Sequence, residues 1–435
     1  MQEFFDLNYW KNVFTSSPTR KRLTENFLSL SVLQVLNYLL PLITLPYLVR
    51  VLGPEKFGLV AFAQAFIMYL VILTDYGFNL SATREISINR ESKEKVSEIF
   101  SSVIAVKFFL GILSFIILAM ILVFIPKFGN DWLIYIFTFG MVLGNILFPV
   151  WFFQGMERMK YITILNIVAK GIFTFCIFIF IRKMADYLYV PLINSMGFIV
   201  AGGLSFGIAS KDFGIKFRIP SIQAIKHQLR EGWHIFISTA AISLYTTSNA
   251  FILGIFTNNT IVGYYSAAEK LIRAVQGLLA PVSQTVYPYI TKLVTESRER
   301  ALNFIRKLVK LAATSTFIIS LLIFILAAPI INIVLGSQYQ RSIIVLRILA
   351  FLPFIIGLSN IFGIQTMLTF NLKRAFSNIL ISAGVLNITL ALILSPLYQH
   401  IGVSIAALTT EIFVTLSTFF YLKKKRIEIF RGKLN

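Results

Sequence analysis

Twelve long apolar runs set the limits on any fold of this sequence. A membrane-spanning helix needs about 20 consecutive apolar residues, and every run reaches that length. The hydrophobic share is 57% and the mean hydropathy is +0.78, which is more apolar surface than a water-soluble core can bury. The sequence therefore predicts an all-α, polytopic membrane protein. The predicted spans are residues 26–49, 58–80, 99–124, 132–155, 160–181, 188–210, 233–256, 260–290, 308–335, 343–369, 374–396 and 400–422.

Lysine and arginine are distributed unevenly between alternate connections of these spans. The side that carries the N-terminus has 29 of them and the opposite side has 6, while 5 lie within spans. By the positive-inside rule, both termini are predicted to be cytoplasmic. The net charge of +21 thus reflects membrane topology, and no nucleic acid partner is predicted.

Short segments of the first half recur in the second half. GLVAFAQ at 58–64 parallels GYYSAAE at 263–269, and NILFPVWFFQGMERMK at 145–160 has the spacing of NIFGIQTMLTFNLKRA at 360–375. Because six is an even number of helices, two such halves have the same orientation, as in parallel-repeat transporters. The predicted domains are a cytoplasmic tail at 1–25, six-helix lobes at 26–210 and 233–422, a cytoplasmic linker at 211–232 and a basic tail at 423–435.

Six charged residues lie about eight or more residues from the nearest predicted span end. At roughly 3 kcal/mol per charge, they would cost about 18 kcal/mol if all faced lipid. We therefore expect them to face a polar cavity between the two lobes. They are Lys107, Lys170, Glu269, Lys270, Arg273 and Glu411.

The excess of cations among these charges suits a substrate that carries phosphate or diphosphate. Lys107, Lys170, Lys270 and Arg273 are the candidate substrate ligands, and Glu269 and Glu411 are candidate proton or sodium sites. Glu269 and Arg273 are four residues apart, so they can pair on one helix face. The alternative is that the charges are structural, either neutralising one another or extending toward the headgroups. That alternative is favoured for Asp75 and Arg347, which lie nearer to span ends.

Motifs for chemistry are missing from the sequence. It has no GxxxxGK[ST] phosphate loop, and His227, His234 and His400 do not have the spacing of a metal site. The single cysteine, Cys176, lies in an apolar run and can form no intrachain disulfide. We therefore predict no cofactor, no metal and no enzymatic activity.

Two segments carry a family resemblance. The run from Leu45 to Gly58 reads Leu-Pro-Tyr-Leu-x-Arg-x-Leu-Gly-x-x-x-Phe-Gly, within a longer similar stretch at 26–66 followed by DYGFNLSATREIS at 75–87. WFFQGMERMKYIT at 151–163 resembles the turn between the fourth and fifth helices of the same family. The chain thus resembles the polysaccharide biosynthesis flippases, the Wzx-type O-antigen transporters of the multidrug/oligosaccharidyl-lipid/polysaccharide exporter superfamily.

The resemblance implies twelve helices in two lobes that open alternately to either side of a bacterial inner membrane. It further implies that an undecaprenyl-diphosphate-linked oligosaccharide moves from the cytoplasmic to the periplasmic leaflet, with a proton or sodium ion as counter-ion. Alternatives within the superfamily are a small-molecule drug antiporter and a peptidoglycan-precursor flippase. A membrane-embedded glycosyltransferase or polymerase is a further alternative of another class.

Overall fold

The computed structural model describes residues 18–277, 279–427 and 429, and the regular secondary structure of these residues is helical. The first half of the described chain contains eight α-helices and a 3₁₀ turn at Met184–Leu188, which precedes the last of them. Its helices are α1 (Pro18–Asp75), α2 (Phe78–Asn89), α3 (Lys93–Phe124), α4 (Pro126–Gly129), α5 (Trp132–Leu147), α6 (Val150–Gly155), α7 (Met159–Phe180) and α8 (Tyr189–Phe213).

The second half also contains two π-helical segments, Ile331–Leu335 and Ile361–Leu368, and a 3₁₀ turn at Ser337–Tyr339. Its α-helices are α9 (Ile222–Phe256), α10 (Asn259–Gly277), α11 (Ala280–Glu296), α12 (Arg298–Ile325), α13 (Ala327–Ile330), α14 (Ser342–Leu349), α15 (Leu352–Asn360) and α16 (Lys373–Lys424).

Two of these helices are interrupted by a single left-handed residue. In α1 the interruption is Gly53, with φ of 67°, a conformation that glycine adopts without the steric cost of a Cβ. In α16 it is Gln399, with φ of 51°. Each of these long helices therefore consists of two legs, which correspond to predicted spans 26–49 and 58–80 in α1, and 374–396 and 400–422 in α16.

The predicted fold class, an all-α polytopic membrane protein, is confirmed. Among the described residues, eight helical stretches are long and apolar enough to cross a membrane. That number is below twelve partly because each interrupted stretch, Leu40–Asn89 and Lys373–Lys424, counts once. In addition, α9 to α11 are not among the eight stretches, and α9 contributes only a shorter apolar part at Thr247–Phe256.

Polar residues mark where two of the long helices begin. The Ser92 hydroxyl accepts a hydrogen bond from the main-chain N–H of Lys95 at 3.4 Å, and the Ser297 hydroxyl accepts one from Arg300 at 3.4 Å. These contacts satisfy N–H groups that have no partner within the helix. The basic connections at Ser92 and Ser297 are thus short turns between helices.

The described chain packs into two compact units. Unit 1 consists of residues up to Leu40, Tyr69–Ile177 and Leu188–Thr239, and unit 2 consists of Pro41–Met68, Phe178–Tyr187 and the chain from Ala240 onward. The predicted lobes at 26–210 and 233–422 stay a prediction. The predicted linker contains the end of α8, an extended segment at 214–221 and the start of α9.

The two predicted tails fall partly outside the described residues. In the tail at 1–25, residues 1–17 lie outside them, and in the tail at 423–435 the same holds for residue 428 and residues 430–435. The cytoplasmic placement of both tails stays a prediction.

Membrane orientation can be tested with single cysteines in a Cys176→Ser background. We expect Lys183→Cys to react with an impermeant maleimide in intact spheroplasts, because Lys183 is exposed and belongs to the sparsely basic side. Lys425→Cys, an exposed residue on the basic side, should react only after permeabilisation. The reverse pattern would overturn the predicted topology.

Candidate functional site

Lys107, a predicted substrate ligand on α3, is the most completely enclosed of the candidates. Its side chain is 1% exposed, and its ammonium forms an ion pair with Asp75 at 3.1 Å. The same ammonium donates to the main-chain oxygen and the side-chain oxygen of Asn145, both at 3.0 Å. A lysine ammonium has three donors, and these three oxygens use all of them. Asp75, expected to extend toward the headgroups, instead neutralises a buried cation.

Lys170 on α7 has a different environment within unit 1. Its ammonium donates a hydrogen bond to the side-chain oxygen of Asn37 on α1. The residue is half-buried, and no described carboxylate forms an ion pair with it. Lys170 therefore combines a positive charge with a neutral partner.

The α10 helix carries three of the predicted site residues. The predicted pair is confirmed, with 2.9 Å between Nη2 of Arg273 and Oε1 of Glu269. The Tyr265 hydroxyl also donates to that carboxylate at 3.3 Å. Lys270 points elsewhere, and its ammonium lies 4.9 Å from the centre of the Phe57 ring, at cation–π distance. Thus Glu269 compensates Arg273, while no described carboxylate pairs with Lys270.

Glu411 on α16 is the remaining candidate. Its side chain is half-buried, and within the described part of the chain its carboxylate has no hydrogen-bond or ion-pair partner. The nearby Thr415 hydroxyl donates to the main-chain oxygens of Glu411 at 2.8 Å and of Ile355 at 3.1 Å, not to this carboxylate. An unpaired carboxylate at this depth is able to take up a cation or a proton.

The structure groups some of these six residues and separates others. Lys107 and Lys170 belong to unit 1 and have different partners, whereas Glu269, Lys270, Arg273 and Glu411 belong to unit 2. Of these four, only Glu269 and Arg273 contact each other through charged atoms. Their predicted roles in substrate and ion binding stay predictions.

The repeated glycines form a helix contact that the sequence analysis did not predict. A Cβ placed on Gly58 would lie 1.8 Å from the carbonyl oxygen of Asn259, and one placed on Gly263 would lie 2.0 Å from that of Pro54. Pro54 and Gly58 are the repeat counterparts of Asn259 and Gly263, so each copy offers the same surface to the other. Such reciprocal contact defines a local two-fold axis. We call this contact the glycine crossing.

Further contacts hold the turn at Gly53 within unit 2. The side-chain nitrogen of Gln338 donates to the main-chain oxygens of Val49 and Arg50, at 3.0 and 3.3 Å. The guanidinium of Arg50 in turn bonds to the main-chain oxygen of Ile333. The first two legs of the chain are therefore attached to the second half around the glycine crossing, at the end predicted to face outward.

A cavity of about 170 Å³ lies inside unit 2, between α11, α12 and α15. The polar residues of its lining include Ser283, Asn360 and Gln365, which the sequence analysis missed. The Ser283 hydroxyl donates to Asn360 at 2.8 Å, and the Gln365 amide nitrogen lies 2.8 Å from the Ser283 oxygen. The lining contains no charged side chain, so this cavity is suited to neutral hydrogen-bonding groups.

Metal chemistry has no candidate site in the described part of the chain, where no three His, Cys, Asp or Glu residues form a group that could hold an ion. His227 contacts Glu85 at 2.5 Å, and Cys176 is a free thiol.

Comparison with known proteins gives consistent results. Residues 23–294 match the family model described as polysaccharide biosynthesis protein. A protein of Escherichia coli K12 named "Putative O-antigen transporter" is 38% identical over 93% of this chain and 98% of its own. A protein of the same name from Shigella dysenteriae is 31% identical over 90% of this chain and 98% of its own.

Two solved structures share the fold. The first is an inward-facing multidrug resistance transporter of the MATE family in the MOP superfamily, with a TM-score of 0.69 and 13% identity over 90% of this chain and 95% of that one. The second is the lipid II flippase MurJ in an inward closed conformation, with a TM-score of 0.69 and 16% identity over 92% of this chain and 89% of that one. At these identities the likeness concerns the fold alone.

Proposed function

Because the chain belongs to the polysaccharide biosynthesis protein family, we propose that it is a flippase for an undecaprenyl-diphosphate-linked oligosaccharide. The substrate, an O-antigen or related repeat unit, moves from the cytoplasmic to the periplasmic leaflet of a bacterial inner membrane. The names of the relatives at 38% and 31% identity support this substrate class. The family is one of transporters, so the chain is not an enzyme and the glycosyltransferase alternative is rejected.

The observation that carries the proposal is the presence of two deep lysines without a carboxylate among the described residues. Lys170 bonds to a neutral amide and Lys270 faces an aromatic ring. A buried cation is costly unless an anion compensates it, and a diphosphate is an anion with several acceptor oxygens. Arg273, whose side chain is 48% exposed, adds a planar donor group suited to phosphate.

Lys107 is the exception among the four predicted ligands. Its ammonium already has three acceptors, one of them a carboxylate. A substrate contact would require that these bonds break. The proposal therefore assigns the diphosphate to Lys170, Lys270 and Arg273.

The glycine crossing supports transport by alternating access. Helices of the two repeats meet there through glycines and main-chain atoms, beside the contact of Lys270 with Phe57. A contact of this kind can separate and re-form with few rotamer changes. In the proposed cycle, the two six-helix lobes, which are related by an axis along the membrane normal, rock around the polar cavity, and the crossing separates when the substrate leaves toward the periplasm.

Glu411 is the proposed coupling residue. Glu269 is already paired with Arg273, whereas the carboxylate of Glu411 has no partner among the described residues. Binding of a proton or a sodium ion there would neutralise a charge whose burial is expensive. The gradient of that ion would then drive the cycle.

Purified protein in liposomes tests the proposal. We expect a diphosphate-linked glycolipid to become accessible to an external lectin without a change in its mass, and faster under an imposed proton or sodium gradient. Lys270→Ala should slow this transfer about tenfold or more, since a hydrogen bond to a charged group contributes about 1.5–3 kcal/mol. Lys216→Ala, an exposed lysine of unit 1, is the control and should transfer at the wild-type rate.

Other outcomes would redirect the assignment. Efflux of small cationic dyes without movement of glycolipid would favour the drug antiporter. Transfer of lipid II in preference to longer glycans would favour the peptidoglycan-precursor flippase. A gradient effect that persists in Glu411→Gln would remove Glu411 as the coupling residue.

A further inference from the structure

The basic ends of the two units differ in their charge balance. In unit 1, segments 84–98, 155–161 and 211–231 contain 11 lysines and arginines together with 7 aspartates and glutamates. In unit 2, segments 288–310, 371–378 and 419–429 contain 12 lysines and arginines but only 3 glutamates. Positive-inside topology accounts for cations at both ends. It does not account for the scarcity of carboxylates at one of them.

At the basic end of unit 1, arginines form ion pairs with glutamates of the same unit. Nη2 of Arg90 lies 2.7 Å from Oε1 of Glu157, and Arg218 lies 3.6 Å from Glu94. The first pair joins the end of α2 to the turn between α6 and α7, and the second joins α3 to the segment that precedes α9. Arg90 and Arg218 at this end therefore connect neighbouring segments through carboxylates of the same unit.

In unit 2 the helix ends are joined by apolar packing instead. Ile290, Ile305, Met367 and Leu422, each on a different helix, belong to one buried cluster, which places the basic segments at the same end of the unit. Of the twelve lysines and arginines around this cluster, eleven are exposed and Arg306 is half-buried; at 423–426 four in succession are exposed. We call these basic residues of segments 288–310, 371–378 and 419–429 the cationic face.

One helix shows where the cationic face lies relative to the bilayer. Arg300, Lys307, Leu311, Ile318 and Leu322 follow one another at spacings of seven and four along α12, so they share a side of that helix. All are exposed, with the side chain of Leu311 at 70%, Ile318 at 51% and Leu322 at 51%. This side changes from basic to apolar between Lys307 and Leu311. An exposed apolar stripe on a membrane-spanning helix contacts acyl chains.

The basic residues therefore fall in the headgroup layer. Lys307 precedes Leu311 by four residues, which is about 6 Å of helix. A headgroup layer is about 5–7 Å thick on each side of the hydrocarbon core. Lys307 and Lys310 are thus at the level of lipid phosphates, as are the four basic residues that follow exposed Phe420.

We propose that the cationic face is a binding surface for the phosphate-bearing headgroups of anionic phospholipids, and that segments 84–98, 155–161 and 211–231 of unit 1 form no equivalent surface. Clusters of four or more lysines and arginines next to a membrane-spanning helix attract anionic lipid, and each charge adds to the attraction. The scarcity of glutamates leaves these charges to be balanced by the lipid. The proposal is independent of which molecule the protein transports.

The test compares two variants of the full chain that lose the same charge. The first is K423Q/K424Q/K425Q/R426Q in unit 2, and the second is K93Q/K95Q/K211Q/K216Q in unit 1. Phosphatidylglycerol is titrated into protein in a neutral detergent, and the rise of the unfolding midpoint reports binding. We expect the half-saturating phosphatidylglycerol concentration to rise roughly tenfold for the first variant and less than twofold for the second.

Three controls make the result decisive. Phosphatidylcholine should give no comparable rise, and 0.5 M salt should remove the difference between the variants, since surface charge is screened at that concentration. K307Q/K310Q, at the headgroup level of α12, should weaken binding in the same direction. Equal loss in both four-residue variants, no loss in either, or saturation by inorganic phosphate alone would overturn the proposal.

Discussion

Gly58→Leu and Gly263→Leu should each reduce transport to a tenth of the wild-type rate or less, with protein still inserted in the membrane. A Cβ at either position would lie about 2 Å from a main-chain carbonyl oxygen, at 1.8 Å for Gly58 and 2.0 Å for Gly263. A main-chain oxygen cannot rotate away, so the helices must separate toward the usual contact distance of about 3.5 Å. The glycine crossing then cannot close, and the transport cycle lacks one of its states.

Two measurements separate this effect from simple misfolding. Ser266, which is 3% exposed and close to the crossing along α10, should react with a maleimide as Ser266→Cys when Gly58→Leu is also present, and remain protected without it. Gly203→Leu is the matched control, because no atom lies within 4 Å of a Cβ at Gly203. Wild-type transport by Gly58→Leu and Gly263→Leu would show that the crossing does not close during the cycle.

The features predicted correctly from the sequence are those encoded by local patterns. Long apolar runs require helices in a membrane, which gave the fold class, and the pattern from Leu45 to Gly58 gave the family that the match over 23–294 confirms. Glu269 and Arg273 pair because residues four apart on a helix are neighbours. In each case the interaction lies within a few residues or follows from composition.

The features that were missed depend on contacts between distant residues. Lys107 is 32 positions from Asp75 and 38 from Asn145, so its pairing could not be seen from spacing along the chain. The glycine crossing joins residues about 200 positions apart. The repeat did contain a signal for it, because a glycine begins both GLVAFAQ and GYYSAAE, and paired glycines in membrane helices often mark a close approach.

Substitutions at Lys107 and at its partner Asp75 can distinguish a structural role of the Lys107 ammonium from a role in substrate binding. If its ammonium is structural, its charge is needed only as long as Asp75 is charged. If it binds the substrate, its charge is needed whatever residue occupies position 75. Removal of one member of a buried ion pair typically costs about 3–5 kcal/mol, because the remaining charge is buried without compensation. Lys107 is 1% exposed and Asp75 is 27% exposed, so loss of its partner leaves a more deeply buried charge at Lys107 than at Asp75.

We therefore expect Asp75→Asn to be the more damaging single change, with a large fall in unfolding midpoint and yield, and Lys107→Met to be milder. The double variant Asp75→Asn, Lys107→Met should be more stable than Asp75→Asn alone and should regain transport, since no unpaired charge remains. Arg218→Met, which breaks the exposed pair with Glu94 in the same unit, should change stability by less than about 1 kcal/mol. A double variant that is stable yet inactive, while the wild type transports normally, would instead return Lys107 to the set of substrate ligands.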